Sequence, residues 1–408
     1  MSRRSRKSTR LATGRALAVL SPQCTTEFAS RGQDLLRTDL VGASTVEDET
    51  DFCTIPPDVS IYFESLDIVL IGGQLSQPES LLGQSGKPVF SKCQPEMLVP
   101  AQPPPLPEAP PAQVDAAAVC LADNPNLTWG AQATGAHASR QDGTGIRVAI
   151  VDSGIDLEHE AFRGRLQPHQ LRSFVSAPAN TDHVGHGTHC AGTICGRTEP
   201  GGQRFGIAPG VELYVAKVFD GRFRSCDARI LAALNWAVMN KCHIVSMSIG
   251  GQVQRNSPHS AIFEAAAKAA LDQGTLVVAG VGNGSARAAS NFMPVNHPAN
   301  CPSVLSVGAV NECLTMTDSS NRGLNPDGGL VDFVAPGARI RSAIAGGGIG
   351  TMDGTSMATP FVAAIAALWA QKDGSLRGPT LWEALKRAAV AVAGDPRDFG
   401  NGLVQAPP

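Results

Sequence analysis

Aromatic residues are scarce in this 408-residue chain: two Tyr, four Trp and 14 Phe make up 5% of it. Its core must therefore be built mainly from aliphatic side chains and alanine. No run approaches the roughly 18 apolar residues that a membrane-spanning helix needs. Charge is also thin, at 17% of residues and a net −3, so bulk electrostatics give no reason to expect nucleic acid or an anionic membrane as partner. The basic run Arg3, Arg4, Arg6, Lys7, Arg10 reads as a solvated terminal tail. A clean secretory signal is missing as well, because Arg15 interrupts the apolar stretch 11–20. That leaves the compartment open between the cytoplasm and export by a weak N-terminal signal. The ten cysteines show no C-x-x-C spacing, and in a chain of this size they read as buried free thiols rather than a disulfide framework.

What the chain has in quantity is glycine (43) and proline (29), the composition of a turn-rich globular protein. Seven of the thirteen residues 100–112 are proline. Such a segment resists helix and sheet and acts as an extended spacer. The expected organisation is an N-terminal region over 1–99, a linker over 100–113 and a larger domain over 114–408. In the first region, 15–21 and 59–73 read as strands.

Beyond the linker, continuous apolar runs at 146–151, 211–218, 243–249, 275–279, 304–309 and 331–334 predict strands covered on both faces. Helical spacing predicts helices at 227–240, 258–272, 357–370 and 379–390. Strand–helix alternation of this kind gives an α/β fold with a doubly wound, mainly parallel sheet, preceded by a small α/β region. Functional groups in such sheets gather outside the carboxyl ends of the strands.

Three segments carry candidate chemistry. VAIVDSGID (148–156) ends an apolar strand on Asp152, which could orient a histidine or simply cap the turn that follows. HVGHGTHCAGTI (183–194) sets His186 between two glycines, where a neutral imidazole can act as general base. His183, His186 and His189 recur every three residues, which leaves a metal site as an alternative. The glycines at 185 and 187 argue against the helix that would bring those histidines together, and no carboxylate pairs with them in the H-E-x-x-H sense. DGTSMATPFVAAIAALWA (353–370) places Ser356 ahead of a long apolar helix, as nucleophile or as N-cap.

Taken together and in order, VAIVDSGID, GHGTHCAGT and GTSMATP resemble the signature segments of the subtilisin-like serine peptidases. Cys190 after HGTH is similar to the proteinase K branch, and the resemblance runs over roughly 127–406, including FGNGLVQA (399–406). It implies a serine endopeptidase with Asp152, His186 and Ser356 as triad. It also implies Asn283, in GVGNGS, as the oxyanion donor. SMSIGG (246–251) then resembles the edge that pairs with an extended peptide substrate. Ser248, Ile249 and Gly250 would form one wall of the pocket beside the scissile bond, and Gly280 and Gly282 the other, with no acidic residue to favour a basic side chain. Phe361 stands where the family usually has His, and Ser246 where it often has Asn.

No cofactor is implied. Asp318 and Asp327 match no calcium loop, which leaves structural calcium open. The family's enzymes are often made with a small α/β propeptide. Residues 1–99 are therefore expected to inhibit the cleft until the linker is cut before Trp129, a docking module being the alternative. A catalytically silent binding protein and a three-histidine metallohydrolase are the rival readings of the larger domain.

Overall fold

The computed structural model describes residues 12–36, 38–56, 58–72, 80, 81, 83, 87–100, 120–197, 202–222, 224–325 and 327–408. Nearly all of the expected proline linker lies outside these residues. Seven strands form the larger sheet: β6 (Arg147–Asp152), β7 (Leu171–Ser173), β8 (Glu212–Lys217), β10 (Ile244–Met247), β11 (Leu276–Gly280), β12 (Leu305–Val310) and β13 (Phe333–Pro336). Their order is β13-β12-β11-β10-β6-β8-β7, and all six pairings are parallel. A separate two-stranded sheet joins β14 (Ile340–Ala343) and β15 (Ile349–Met352).

Every residue of β10, β11, β12 and β13 is buried, which is why these strands read as largely apolar runs, broken by Ser246 and Ser306. Successive side chains nevertheless serve different faces. Val148 and Ile150 of β6 pack with helices α3 (His186–Cys195), α6 (Thr355–Lys372) and α7 (Gly378–Ala388). Ala149 and Val151 pack with α4 (Asp227–Met239) and α5 (Ala261–Asp272). This is the doubly wound sheet the sequence predicts.

The N-terminal region supplies β1 (Ala12–Leu20), α1 (Thr25–Leu36), β2 (Asp39–Gly42), β3 (Val59–Phe63), β4 (Ile68–Ile71) and β5 (Phe90–Pro100). Its sheet, in the order β2-β3-β4-β1-β5, gains a sixth strand from the other side of the linker, β9 (Arg224–Cys226). Alternation again sorts the side chains. Leu17, Ile68 and Leu70 meet the core around α4 and α5, whereas Ala18, Val69 and Ile71 cover Phe28 and Leu36 of α1. The layers therefore run α1, N-terminal sheet, α4 and α5, parallel sheet, then α3, α6 and α7.

Two sequence expectations need correction. Four cysteines are bridged, Cys53 to Cys226 and Cys120 to Cys313, over separations that no local spacing reveals. The other six belong to neither bridge. The second correction concerns α3, which does start at His186. Gly185 is its N-cap at φ 81°, a left-handed conformation glycine adopts without a Cβ penalty. Gly187 is small because a Cβ there would lie 2.2 Å from the carbonyl oxygen of Gly154. The Phe361 ring occupies the space of the missing Cβ on Gly130, 2.4 Å away.

Candidate active site

Asp152 is the last residue of β6, His186 the first of α3 and Ser356 the second of α6. Each element end is fixed by polar contacts. Asp182 accepts hydrogen bonds from the backbone N–H of Gly185 (2.8 Å) and Thr188 (2.8 Å) and from the hydroxyls of Ser153 (2.8 Å) and Thr188 (2.7 Å). Ser153 Oγ accepts in turn from the Gly187 N–H at 2.9 Å. The buried Lys217 ammonium donates to the carbonyls of Ser153 (2.7 Å) and Thr181 (2.6 Å). These contacts tie the turn after Asp152 to the start of the helix that carries His186.

The result is a buried contact of 2.8 Å between Asp152 Oδ1 and His186 Nδ1. Burial by itself would push the imidazolium's pKa down, but the facing Asp152 carboxylate outweighs it and holds His186 well above its ordinary value. The Cys190 thiol sits 3.9 Å from His186 Nδ1 and 3.5 Å from the Ser356 carbonyl. Burial raises the thiol's own pKa, so Asp152 supplies the charge that His186 feels.

The structure does not bring the three histidines together. His183 is exposed. His189 turns Nε2 to the Ile340 carbonyl at 2.9 Å, and burial pushes its pKa down to about 3. The metal-compatible grouping among the described residues is instead Asp152, His186 and Cys190, which places Asp318 and Asp327 outside any such cluster. Asp318 accepts from the Ala288 N–H.

Ser356 is 8% exposed, reachable but backed by protein. The Ser248 hydroxyl donates to its carbonyl at 2.8 Å. One residue earlier, the Thr355 N–H and hydroxyl donate to Asn283 Oδ1 at 2.9 and 3.1 Å. That orientation leaves the Asn283 carboxamide N–H groups on its opposite edge. Ser248, Ile249, Gly250, Gly280, Gly282, Asn283 and Ser356 line one small cavity, which the sequence-expected pocket residues thus share. Gly280 has a packing reason to be glycine, since a Cβ would lie 3.0 Å from Thr355 Oγ1.

Sequence reasoning overlooked several contributors. Asp182 was findable: an Asp three residues before a glycine that opens a helix is a turn-forming pattern. Strand β9 and the cavity residue Asn296 carry no local mark. Among the described residues, no helix is long and apolar enough to cross a membrane.

Comparison with known proteins agrees with this architecture. The subtilase family model matches residues 143–402. Subtilisin BL from Lederbergia lenta is 35% identical over 286 residues, 69% of this chain and 97% of that protein. Alkaline elastase YaB from Bacillus sp. (strain YaB) is 37% identical over 285 residues, covering 69% of each chain. The solved structure of sphericase superposes with a TM-score of 0.56 at 27% identity, over 65% of this chain and 93% of that one. With a family match spanning most of the parallel-sheet half and relatives aligned almost end to end, the chain belongs to the subtilase family and is a serine endopeptidase.

Proposed function

We propose that the chain hydrolyses peptide bonds through a triad of Asp152, His186 and Ser356, with Asn283 as oxyanion donor, and is made as a self-processed zymogen. The observation that carries the triad is the buried 2.8 Å contact between Asp152 and His186, on a helix that packs against the one opened by Ser356. Asp152 fixes the tautomer of His186 and stabilises its imidazolium. His186 takes the proton of Ser356 Oγ as the hydroxyl attacks the substrate carbonyl, then returns it to the leaving amine. The tetrahedral oxyanion is stabilised by the Asn283 carboxamide and the Ser356 N–H, and water hydrolyses the acyl-enzyme on Ser356. Substrate lies as an extended strand along Ser248–Gly250.

The N-terminal region is the intramolecular inhibitor in this reading, and the chain is cut within or just after the proline linker. Its last described strand supports that role. β5 pairs antiparallel with β9, with Leu98 opposite Cys226 and Val99 opposite Ser225. Glu96, buried and paired with Arg15 at 2.7 Å, accepts from the Ala228 N–H in the first turn of α4. A carboxylate is favoured at that positive helix end. Gln94 donates to Ser260, the N-cap of α5, at 2.8 Å. Where sequence read one strand over 59–73, β3 and β4 form an antiparallel pair, and it is the later strand β5 that reaches the larger domain.

Labelling with a fluorophosphonate tests the catalytic assignment. A covalent adduct on Ser356 is expected once the linker has been cut and the N-terminal region has left the cleft. Absence of an adduct, even after removal of the N-terminal region by limited proteolysis, would sink it.

A further inference from the structure

The glycines at 250 and 282 read in the sequence as open walls for a substrate side chain, but the space between them is already occupied. A Cβ on Gly282 would lie 2.3 Å from Asn296 Nδ2, and one on Gly250 would lie 3.2 Å from the same atom. The Asn296 carboxamide thus packs against both glycines, and Gly282 also has a φ of 100° that disfavours any side chain. The carboxamide is held there firmly. The Asn296 N–H donates to the Val281 carbonyl at 2.9 Å, and the fully buried Asn321 donates to Asn296 Oδ1 at 3.1 Å. What remains of the cavity beside Ser356 is about 20 Å³, room for roughly one water or one methyl group.

We propose that Asn296 is a specificity-determining residue that restricts the substrate residue on the acyl side of the scissile bond to Ala, Ser or Gly. This rests on the Ser356 peptidase reading above. A larger apolar side chain would have to displace a buried, hydrogen-bonded carboxamide, and each methylene that fails to fit is worth roughly 10- to 200-fold in selectivity. Cleavage-site profiling, on a peptide library, of protein freed of its N-terminal region by limited proteolysis, with Asn296→Gly and Asn296→Ala beside it, is the test. The wild-type protein should favour Ala, Ser and Gly over Phe and Leu by at least tenfold in kcat/KM. In Asn296→Gly the Phe-to-Ala ratio should rise tenfold or more. Equal wild-type cleavage after Phe and Ala overturns the proposal without reference to either variant. Loss of Ser356 labelling is a different outcome that strikes the peptidase reading instead.

A second, independent observation concerns covalent connection. Cys53, in the N-terminal region, is bonded to Cys226, the last residue of β9, across 173 residues of sequence. Around it Arg229 pairs with Asp51 at 2.6 Å and Phe52 is fully buried. Cutting the linker therefore yields two polypeptides that remain one molecule. A tethered segment acts at an effective concentration in the millimolar range for a short connection, so dilution cannot remove it.

We infer that release of the N-terminal region, on the zymogen reading above, requires reduction of this bond. A dithiol reductant supplies two electrons and two protons, leaving two thiols and becoming a disulfide itself. Linker-cut protein should run as one species on a non-reducing gel and as two after reduction. Diluted to nanomolar concentration without reductant, Cys53→Ser should lose its N-terminal piece and gain activity, while the wild type keeps both pieces together. Because this variant retains Cys120–Cys313, it separates the effect from reduction of the other bridge. Equal retention of the piece, or its equal loss, in wild type and Cys53→Ser overturns the inference.

Discussion

Asp152 Oδ1 stands 2.8 Å from His186 Nδ1 with both side chains 2% exposed, so the carboxylate acts on the imidazole with little screening by water. The carboxylate holds the imidazolium's pKa above 6.5, and only the neutral imidazole can accept the Ser356 proton. Activity should accordingly rise with pH through a midpoint above 6.5. Asp152→Asn removes the raising charge and leaves burial to act alone, so the midpoint should fall below the wild-type value. The correct tautomer is lost too, and kcat should drop by roughly 10⁴. A pH profile of kcat/KM for both proteins checks this; an unchanged midpoint contradicts the pairing.

Asn283 is gripped through Oδ1 by both donors of Thr355, so its orientation does not depend on substrate. Asn283→Ala should lower kcat by about 100- to 1000-fold with little change in KM, because the lost donor acts on the oxyanion and not on the ground state. A loss carried mainly by KM would assign Asn283 to substrate binding instead.

On the zymogen proposal, maturation depends on Ser356. If the linker is cut by the chain's own nucleophile, Ser356→Ala should accumulate at full length where the wild type shows a new terminus before Trp129. N-terminal sequencing of both proteins decides it, and equal trimming points to another protease.

The parallel sheet was legible because strands buried on both faces, such as β11, read as short apolar runs whose length and flanking turns separate them from longer buried helices such as α6. The triad candidates were legible through their order along the chain. Local pattern failed where glycine served a tertiary purpose. Gly185 and Gly187 looked like helix breakers, yet one caps α3 and the other admits Gly154. Gly250 and Gly282 line the cavity beside Ser356 and also accommodate Asn296, whose own neighbours His297 and Pro298 say nothing of a cavity. The bridge from Cys53 to Cys226 and the pairing of β5 with β9 join residues more than a hundred positions apart, and no window of sequence contains both partners.

Asp332 offers a stability test away from the site. Burial raises its pKa to about 6, against the hydrogen bonds it accepts from the Ser306 N–H (2.8 Å) and hydroxyl (2.9 Å). A carboxyl that binds its proton more tightly when folded makes stability fall as pH rises from the unfolded value near 3.8 through the folded value near 6. Above that window the folded state carries the full cost of a buried charge. Asp332→Asn keeps an acceptor oxygen for Ser306 and cannot ionise. Its Tm relative to wild type should therefore be higher at pH 8 than at pH 4.5. Thermal unfolding at the two pH values measures the difference, and a Tm gap that is constant or that shrinks with rising pH excludes Asp332 as a buried, strained carboxylate.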